Sequence, residues 1–129
     1  YDDQIHELLN DFSDEHTRVI IIGNQPAFWK RVSSNQKNEL LLVLNEIMVN
    51  MKKHSGASNV VVEFRQDANT GFIHYRDDGR GFPREFEYGN GLKNTVSRIK
   101  SLNGESNFGK TELGGATITI KFPLESDNL

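Results

Sequence analysis

Four polar side chains follow one face of the longest uninterrupted helical pattern in the sequence. Glu46, Asn50, Lys53 and His54 are spaced at i, i+4, i+7 and i+8, which places them on one stripe of an α-helix. The stripe combines a carboxylate, an amide oxygen and two basic groups. Charged residues on helices mostly face water, so the stripe alone favours a solvated surface. The alternative is that it lines a pocket.

Two glycine-rich units farther along the chain favour the pocket. Asp77 ends a predicted strand and precedes Gly79 and Gly81, so a carboxylate able to accept from an amine adjoins backbone that a ligand can approach closely. Gly89-Asn90-Gly91 opens directly into a predicted helix, whose first N–H groups lack partners and favour an anion. A simple turn would explain one such unit but not both. Together they predict a site for a ligand that carries both an amine and a phosphate.

Periodicity predicts the elements that must position these residues. The helix that bears the stripe begins at a capping box formed by Ser33 and Gln36 and extends to His54. The β-branched run from Thr17 to Ile22 predicts a strand buried on both faces. The other predicted elements are a hairpin of strands 59–65 and 72–76, a helix over 92–102 that stops at Gly104, and a second hairpin of strands 105–108 and 116–122. This order predicts an α+β fold with helices on one face of a mixed sheet.

Length and composition narrow the class of protein. The 129 residues suffice for one domain, and a net charge of -3 without a basic stripe gives no support to nucleic-acid binding. The absence of cysteine excludes disulfides and thiolate metal sites, and no apolar run approaches about 18 residues. The first residue is Tyr1 rather than Met, which predicts that the chain is part of a longer protein. The expected division is a helix tail or linker over 1–16, a domain over 17–124 and a frayed tail over 125–129.

Four stretches carry a resemblance to a known superfamily. They are EIMVNMKKH at 46–54, DDGRGF at 77–82, GNGL at 89–92 and GATITI at 115–120. In this order they resemble the N, G1, G2 and last glycine boxes of the GHKL superfamily. The chain is most similar to the catalytic and ATP-binding domain of a sensor histidine kinase with a very short ATP lid. The resemblance covers residues 17–124 and implies a Bergerat-type two-layer sandwich.

The resemblance implies that ATP and Mg²⁺ are the ligands and gives each residue a role. Asn50 would coordinate Mg²⁺, and Glu46 would orient a metal-bound water or act as a polarising base. Lys53 and His54 would contact phosphates, while Asp77 would accept a hydrogen bond from the adenine amine. The other implied ATP contacts are Gly79, Gly81, Gly89, Gly91, Leu92 and Thr117.

Two positions depart from the family pattern. Ala116 stands where the family usually has Thr or Ser, so a water-mediated contact to adenine would be absent or shifted to Thr117. Met51 stands where a small residue is common, which would reshape the pocket wall. Neither departure removes a charge or a metal ligand.

The resemblance also implies partners outside this chain. The phosphoacceptor histidine would lie on a separate helical dimerisation domain of the same parent protein, and a response regulator would receive the phosphoryl group afterwards. The chain itself is expected to be a cytoplasmic monomer that contacts neither nucleic acid nor membrane. Its parent is expected to be a homodimer, with or without a membrane anchor. The alternatives are an anti-sigma-type GHKL kinase that phosphorylates serine, and a non-catalytic nucleotide-binding docking module.

Overall fold

The computed structural model of the protein describes residues 1–81 and 90–126. The helices are α1 (Asp2–Asn10), α2 (Pro26–Trp29), α3 (Ser34–Asn50) and α4 (Asn90–Ser101), and a π-helical turn (Met51–Ser55) follows α3 directly. The strands are β1 (Arg18–Ile22), β2 (Asn59–Asp67), β3 (Thr70–Asp77), β4 (Glu105–Lys110) and β5 (Ala116–Pro123). None of the helices in the described ranges is long and apolar enough to cross a bilayer.

The five strands form one mixed sheet in the order β1-β2-β3-β5-β4. Strands β1 and β2 are parallel because α3 crosses between them, and every other neighbouring pair is antiparallel. Both predicted hairpins, β2–β3 and β4–β5, are present. The predicted α+β fold with a mixed sheet is therefore confirmed.

The core lies between the helices and one face of this sheet. Residues on β3 alternate between buried and half-exposed positions, so Ile73, Tyr75 and Asp77 face the helices while His74 and Arg76 face away. Strands β2 and β5 alternate in the same way. This pattern places Asp77 at the helix-facing side of the sheet, where a site between the layers can form.

The start of α3 is fixed by the predicted capping box. The Ser33 hydroxyl accepts a hydrogen bond from the Gln36 N–H at 3.1 Å, and the Gln36 side chain accepts from the Ser33 N–H at 3.0 Å. The Gln36 amide also donates to the Pro123 carbonyl at 2.7 Å. The cap therefore anchors α3 to the end of β5 as well as starting the helix.

The regular helix ends earlier than predicted. It stops at Asn50 rather than His54, and the π-helical turn that follows ends at Gly56, whose φ is +63°. A π-helical turn closes i→i+5 hydrogen bonds and holds more residues per turn than an α-helix. Lys53 and His54 therefore do not continue the α-helical stripe that starts at Glu46, which corrects the predicted i+7 and i+8 placement.

Strand β1 is less buried than the sequence predicts. Strand β1 is an edge strand on which only Val19 is buried, and Ile22 is 43% exposed, so the expected burial on both faces is wrong.

Helix α1 packs into the common core, because Ile5 and Leu9 are fully buried there. The Tyr1 hydroxyl also donates to the Lys37 carbonyl of α3 at 2.6 Å. Helix α1 thus packs against the same core as the other helices.

Candidate functional site

Asp77 is a buried carboxylate at the end of β3, with 4% of its surface exposed. One oxygen, Oδ1, accepts from the Gly79 N–H at 3.0 Å and from the Ala116 N–H at 3.1 Å. The other, Oδ2, accepts from the Tyr75 hydroxyl at 2.5 Å. Burying a carboxylate is costly unless it is hydrogen-bonded, and these three donors offset that cost. Asp77 is therefore held in one orientation at the rim of the core.

The loop after Asp77 packs directly on the π-helical turn. A Cβ added to Gly79 would lie 2.2 Å from the Ser55 carbonyl oxygen, so glycine is required by this close approach. The Arg80 N–H donates to that same oxygen at 2.9 Å, and the Arg80 side chain donates to the His54 carbonyl at 2.9 Å. The first two predicted boxes therefore meet in space.

The turn between β4 and β5 approaches Asp77 from the other side. A Cβ on Gly115 would lie 2.0 Å from the Asp77 carbonyl oxygen. Gly81 has φ +81°, and its added Cβ would lie 2.9 Å from the Gly114 carbonyl oxygen. The last glycine box thus adjoins the loop that carries Gly79 and Gly81.

Glu46 is held by helix α4. Its Oε2 accepts from the Thr95 hydroxyl at 2.6 Å, and its Oε1 accepts from the Arg98 guanidinium at 3.0 Å. Arg98 also donates a hydrogen bond to Glu39 at 3.3 Å. The hydrogen bond to Glu46 is the largest cause, and the one to Glu39 the next, of a raised pKa of the Arg98 guanidinium. The sequence analysis missed Thr95 and Arg98. Their i, i+3 spacing on a predicted amphipathic helix was the available signal.

Five further predicted site residues lie on α3, on the π-helical turn and on α4. Asn50 ends α3 with 8% of its surface exposed, and Lys53 is exposed on the π-helical turn beside the half-buried His54. Gly91 lies in the first turn of α4, and Leu92 next to it is buried. Gly89 lies outside the described residues.

Thr117 is not brought to the Asp77 site. It pairs with Arg76 across β3 and β5, and alternation turns both side chains to the sheet face opposite Asp77. On that face its hydroxyl would be 2.9 Å from a Cβ added to Gly109 of β4. A contact to adenine shifted from Ala116 to Thr117 therefore finds no support in this geometry.

The oxygen donors fit a magnesium ion that is bound together with phosphates. Asn50 offers an amide oxygen and Glu46 a carboxylate one turn earlier on α3. Within residues 1–81 and 90–126, no three His, Cys, Asp or Glu side chains cluster as a metal cage. Mg²⁺ usually takes one or two protein oxygens and fills its remaining positions with waters and phosphate oxygens. The donor set therefore suits a metal that arrives with a nucleotide.

Comparison with proteins of known sequence agrees with this geometry. Sensor histidine kinase YvfT of Bacillus subtilis is 29% identical over 93 residues, which cover 72% of this chain and 24% of YvfT. Nitrate/nitrite sensor protein NarX of Escherichia coli is 33% identical over 93 residues, which cover 70% of this chain and 16% of NarX. The chain thus spans a quarter or less of these two relatives, which are both sensor proteins.

Solved structures show the same fold. The histidine kinase domain of the Erythrobacter litoralis EL346 blue-light activated histidine kinase superimposes with a TM-score of 0.74 at 21% identity, covering 96% of this chain and 59% of that one. The ATP binding domain of PrrB from Mycobacterium tuberculosis superimposes with a TM-score of 0.68 at 22% identity and covers 95% of both chains.

Residues 35–126 match the model of the HATPase_c family. Because that match spans more than half of the chain, the protein belongs to the family of histidine kinase-, DNA gyrase B- and HSP90-like ATPases.

Proposed function

We propose that this chain is the ATP-binding catalytic domain of a sensor histidine kinase. It would bind Mg·ATP and transfer the γ-phosphoryl group to a histidine on a separate helical domain of its parent. The observation that carries this proposal is the meeting of three predicted boxes around Asp77, through the Gly79–Ser55 and Ala116–Asp77 contacts. Family membership and similarity to the sensor histidine kinase YvfT support the same activity.

Asp77 is the residue proposed to recognise the adenine base. Its carboxylate acts as the acceptor in all three of its contacts, so a base that reaches it must supply an N–H donor. The exocyclic amine of adenine is such a donor. Because three hydrogen bonds hold this carboxylate at the end of β3, they would set where the amine lies.

The phosphates would lie toward the π-helical turn and the start of α4. Lys53 and His54 are basic groups on that turn, and Gly91 belongs to the first turn of α4, whose N–H groups favour an anion. A Mg²⁺ ion held by Asn50 and the phosphate oxygens would neutralise charge that develops during transfer. These side chains serve mainly to position the nucleotide, because phosphoryl transfer needs little covalent help from the protein.

Glu46 is proposed to polarise the attacking group. The unprotonated nitrogen of the acceptor imidazole would form a bond to the γ-phosphorus while the bond to the bridging β–γ oxygen breaks and ADP leaves, and Glu46 would accept the hydrogen bond and then the proton of the other ring N–H. Thr95 and Arg98 hold both oxygens of Glu46, so its carboxylate keeps a defined direction during this step. Well-placed general bases contribute about 10²–10⁴-fold to rates.

The two alternatives have less support. An anti-sigma-type kinase would phosphorylate serine, whereas YvfT, to which this chain is similar, is a sensor histidine kinase. A non-catalytic docking module would not require the ordered Glu46 contacts to Thr95 and Arg98. Phosphorylation of a serine-containing partner, or unchanged partner regulation in an Asn50→Ala variant, would favour the respective alternative.

Calorimetric titration with ADP and a non-hydrolysable ATP analogue tests the binding site. Asp77→Asn should weaken ADP binding by about 10- to 150-fold, because a hydrogen bond to a charged acceptor contributes about 1.5–3 kcal/mol. Asp67→Asn is the matched control, since Asp67 is exposed at the far end of the same β2–β3 hairpin. Equal loss in both variants, or no binding by the folded wild type, would contradict the site.

The magnesium assignment has its own measurement. Added Mg²⁺ should tighten binding of the ATP analogue in the wild type, and Asn50→Ala should remove that gain while it leaves metal-free ADP binding close to the wild-type value. An Mg²⁺ gain that survives in Asn50→Ala would exclude Asn50 as the ligand.

Phosphotransfer and assembly require further protein. With the helical domain of the parent added, radiolabelled ATP should label an acid-labile phosphohistidine on that domain, and a response regulator should then receive the label. Without that domain the chain should sediment as a monomer, because the proposed dimer contact lies in the added helices. Acid-stable phosphoserine would replace this proposal with the anti-sigma-type alternative.

A further inference from the structure

The carboxylate of Asp77 has a nearly complete set of donors before any ligand binds. A carboxylate offers about four acceptor positions, two on each oxygen. Two N–H groups, from Gly79 and Ala116, occupy Oδ1, and the Tyr75 hydroxyl occupies one position on Oδ2. No other donor within residues 1–81 and 90–126 reaches this carboxylate, so one acceptor position on Oδ2 is left for a ligand.

The Tyr75 hydroxyl donates to the carboxylate of Asp77. Tyr75 lies two residues before Asp77 on β3, and alternation brings both side chains to the same face. The side chain is 1% exposed, and its single hydroxyl hydrogen points to Asp77 Oδ2. Burial, and then the contact with Asp77, raises the pKa of this hydroxyl far above its usual range, so it stays a donor at physiological pH.

The sequence signal for this role is indirect. Asp77 and Ala116 belong to boxes that the resemblance identified, whereas Tyr75 lies outside all four stretches. Its aromatic ring alone would be read as core, since Tyr75 belongs to the buried apolar cluster. The hydroxyl distinguishes it, because a buried Phe at this position would fill the same space without reaching Oδ2.

We propose that Tyr75 is a positioning residue that sets base selectivity by leaving Asp77 one open acceptor position. This inference rests on the proposed function, in which Asp77 recognises the base. With Oδ2 fixed, a purine that presents an amine fits, while one that presents a carbonyl oxygen places two acceptors against each other. Without the hydroxyl, Oδ2 has two open positions, water can bridge to a carbonyl, and the carboxylate is held through Oδ1 alone.

The test compares ADP with inosine diphosphate, which carries a carbonyl oxygen where ADP carries its amine. Calorimetry of the wild type should give tighter binding of ADP. Tyr75→Phe should lower the ratio of ADP affinity to inosine diphosphate affinity by about five- to twentyfold, which is less than the 10- to 150-fold expected for losing the direct hydrogen bond to Asp77, because Tyr75 acts through Asp77. Tyr75→Met, with a flexible side chain that fills the space differently, should lower the ratio similarly.

Tyr1→Phe is the matched control. Its hydroxyl also makes a short hydrogen bond, to the Lys37 carbonyl at 2.6 Å, but Tyr1 lies directly before α1 and is not one of the three donors to Asp77. Tyr1→Phe should therefore reduce stability without changing the affinity ratio. Circular dichroism and urea unfolding establish that each variant is folded before it is titrated.

The outcomes separate this inference from the function on which it rests. A ratio within twofold of the wild type in a folded Tyr75→Phe or Tyr75→Met protein would overturn the role of Tyr75 and leave Asp77 as the base-binding residue. Failure of the folded wild type to prefer ADP would overturn the adenine assignment and the role of Tyr75 together. A reduced ratio that is equally reduced in Tyr1→Phe would also overturn it, because the loss would then follow from stability.

Discussion

Substitution of Gly79 by alanine should separate two loops that meet at the proposed site. The added methyl carbon would lie 2.2 Å from the Ser55 carbonyl oxygen and 2.7 Å from the Ser55 hydroxyl oxygen. The carbonyl belongs to the backbone of the π-helical turn and cannot rotate away. Either this turn or the loop after β3 must therefore move by about 1 Å to restore a normal contact. That movement also breaks the 2.9 Å hydrogen bond from the Arg80 N–H to Ser55.

The expected loss of stability follows from these two contributions. Overpacking costs about 1–3 kcal/mol, and a lost hydrogen bond costs about 0.5–1.5 kcal/mol, so the free energy of unfolding should fall by about 2–4 kcal/mol. Urea unfolding measures this change, and calorimetry should show ADP affinity reduced more than tenfold, because His54 and Asp77 are separated with the loops.

Gly114→Ala is the control for the Gly79 substitution. Gly114 has φ +95° and its added Cβ meets no atom within 4 Å, so it pays only the backbone strain of about 1–2 kcal/mol. Both substitutions also stiffen the unfolded chain to the same extent, and that contribution cancels in the comparison. If Gly79→Ala is no less stable than Gly114→Ala, the contact between the two loops does not exist as described.

Three further predictions concern contacts away from Gly79. Arg98→Ala and Glu46→Gln should destabilise the protein non-additively in urea unfolding, because each removes the same ion pair, and additive losses would refute their coupling. Ser33→Ala should lower the free energy of unfolding by about 1 kcal/mol, because the helix cap is lost. If thermal unfolding shows a change no larger than that of Ser34→Ala, an exposed neighbouring position, the cap does not contribute as expected. Burial is the largest cause, and the charge of Arg76 the next, of a lowered pKa of His74, so the folded state favours the neutral imidazole. The contribution of His74 to the free energy of unfolding should be fully present above its unfolded pKa of 6.5 and be lost as the pH falls below that value. His74→Gln should flatten that loss in urea titrations at several pH values, and an identical pH dependence would rule out His74 as its source.

The helix cap and the hairpins were predictable because their signals are local. Ser33 and Gln36 lie three residues apart, and strand alternation needs only a period of two. The π-helical turn was not predictable in the same way, since residues 51–55 contain neither Gly nor Pro and continue an apparent α-helix. The orientation of Thr117 could have been read from alternation with Ile118, but the glycine box suggested a role by position in the sequence instead.

Contacts between distant segments were the least predictable part of the site. Thr95 and Arg98 reach Glu46 across 49 and 52 residues of chain, and neither belongs to a recognised motif. Their role depends on the packing of α4 against α3, which brings them to the half-buried carboxylate. Sequence periodicity indicates that such helices pack but does not specify which side chains meet.

Asp77 and Asp78 show how neighbouring residues of one type acquire different roles. Asp78 accepts from the Ser58 and Asn59 N–H groups and from the Asn59 amide, each at 2.8 Å, and the Asn59 contacts hold the pKa of its carboxyl below the usual range. Its carboxylate is exposed, so its remaining acceptor position faces water, and its three donors join the start of β2 to the end of β3. Asp77 faces the opposite way, toward the core, and keeps one acceptor position open. Because a strand turns successive side chains to opposite faces, the same carboxylate becomes a structural clamp at 78 and a candidate recognition group at 77.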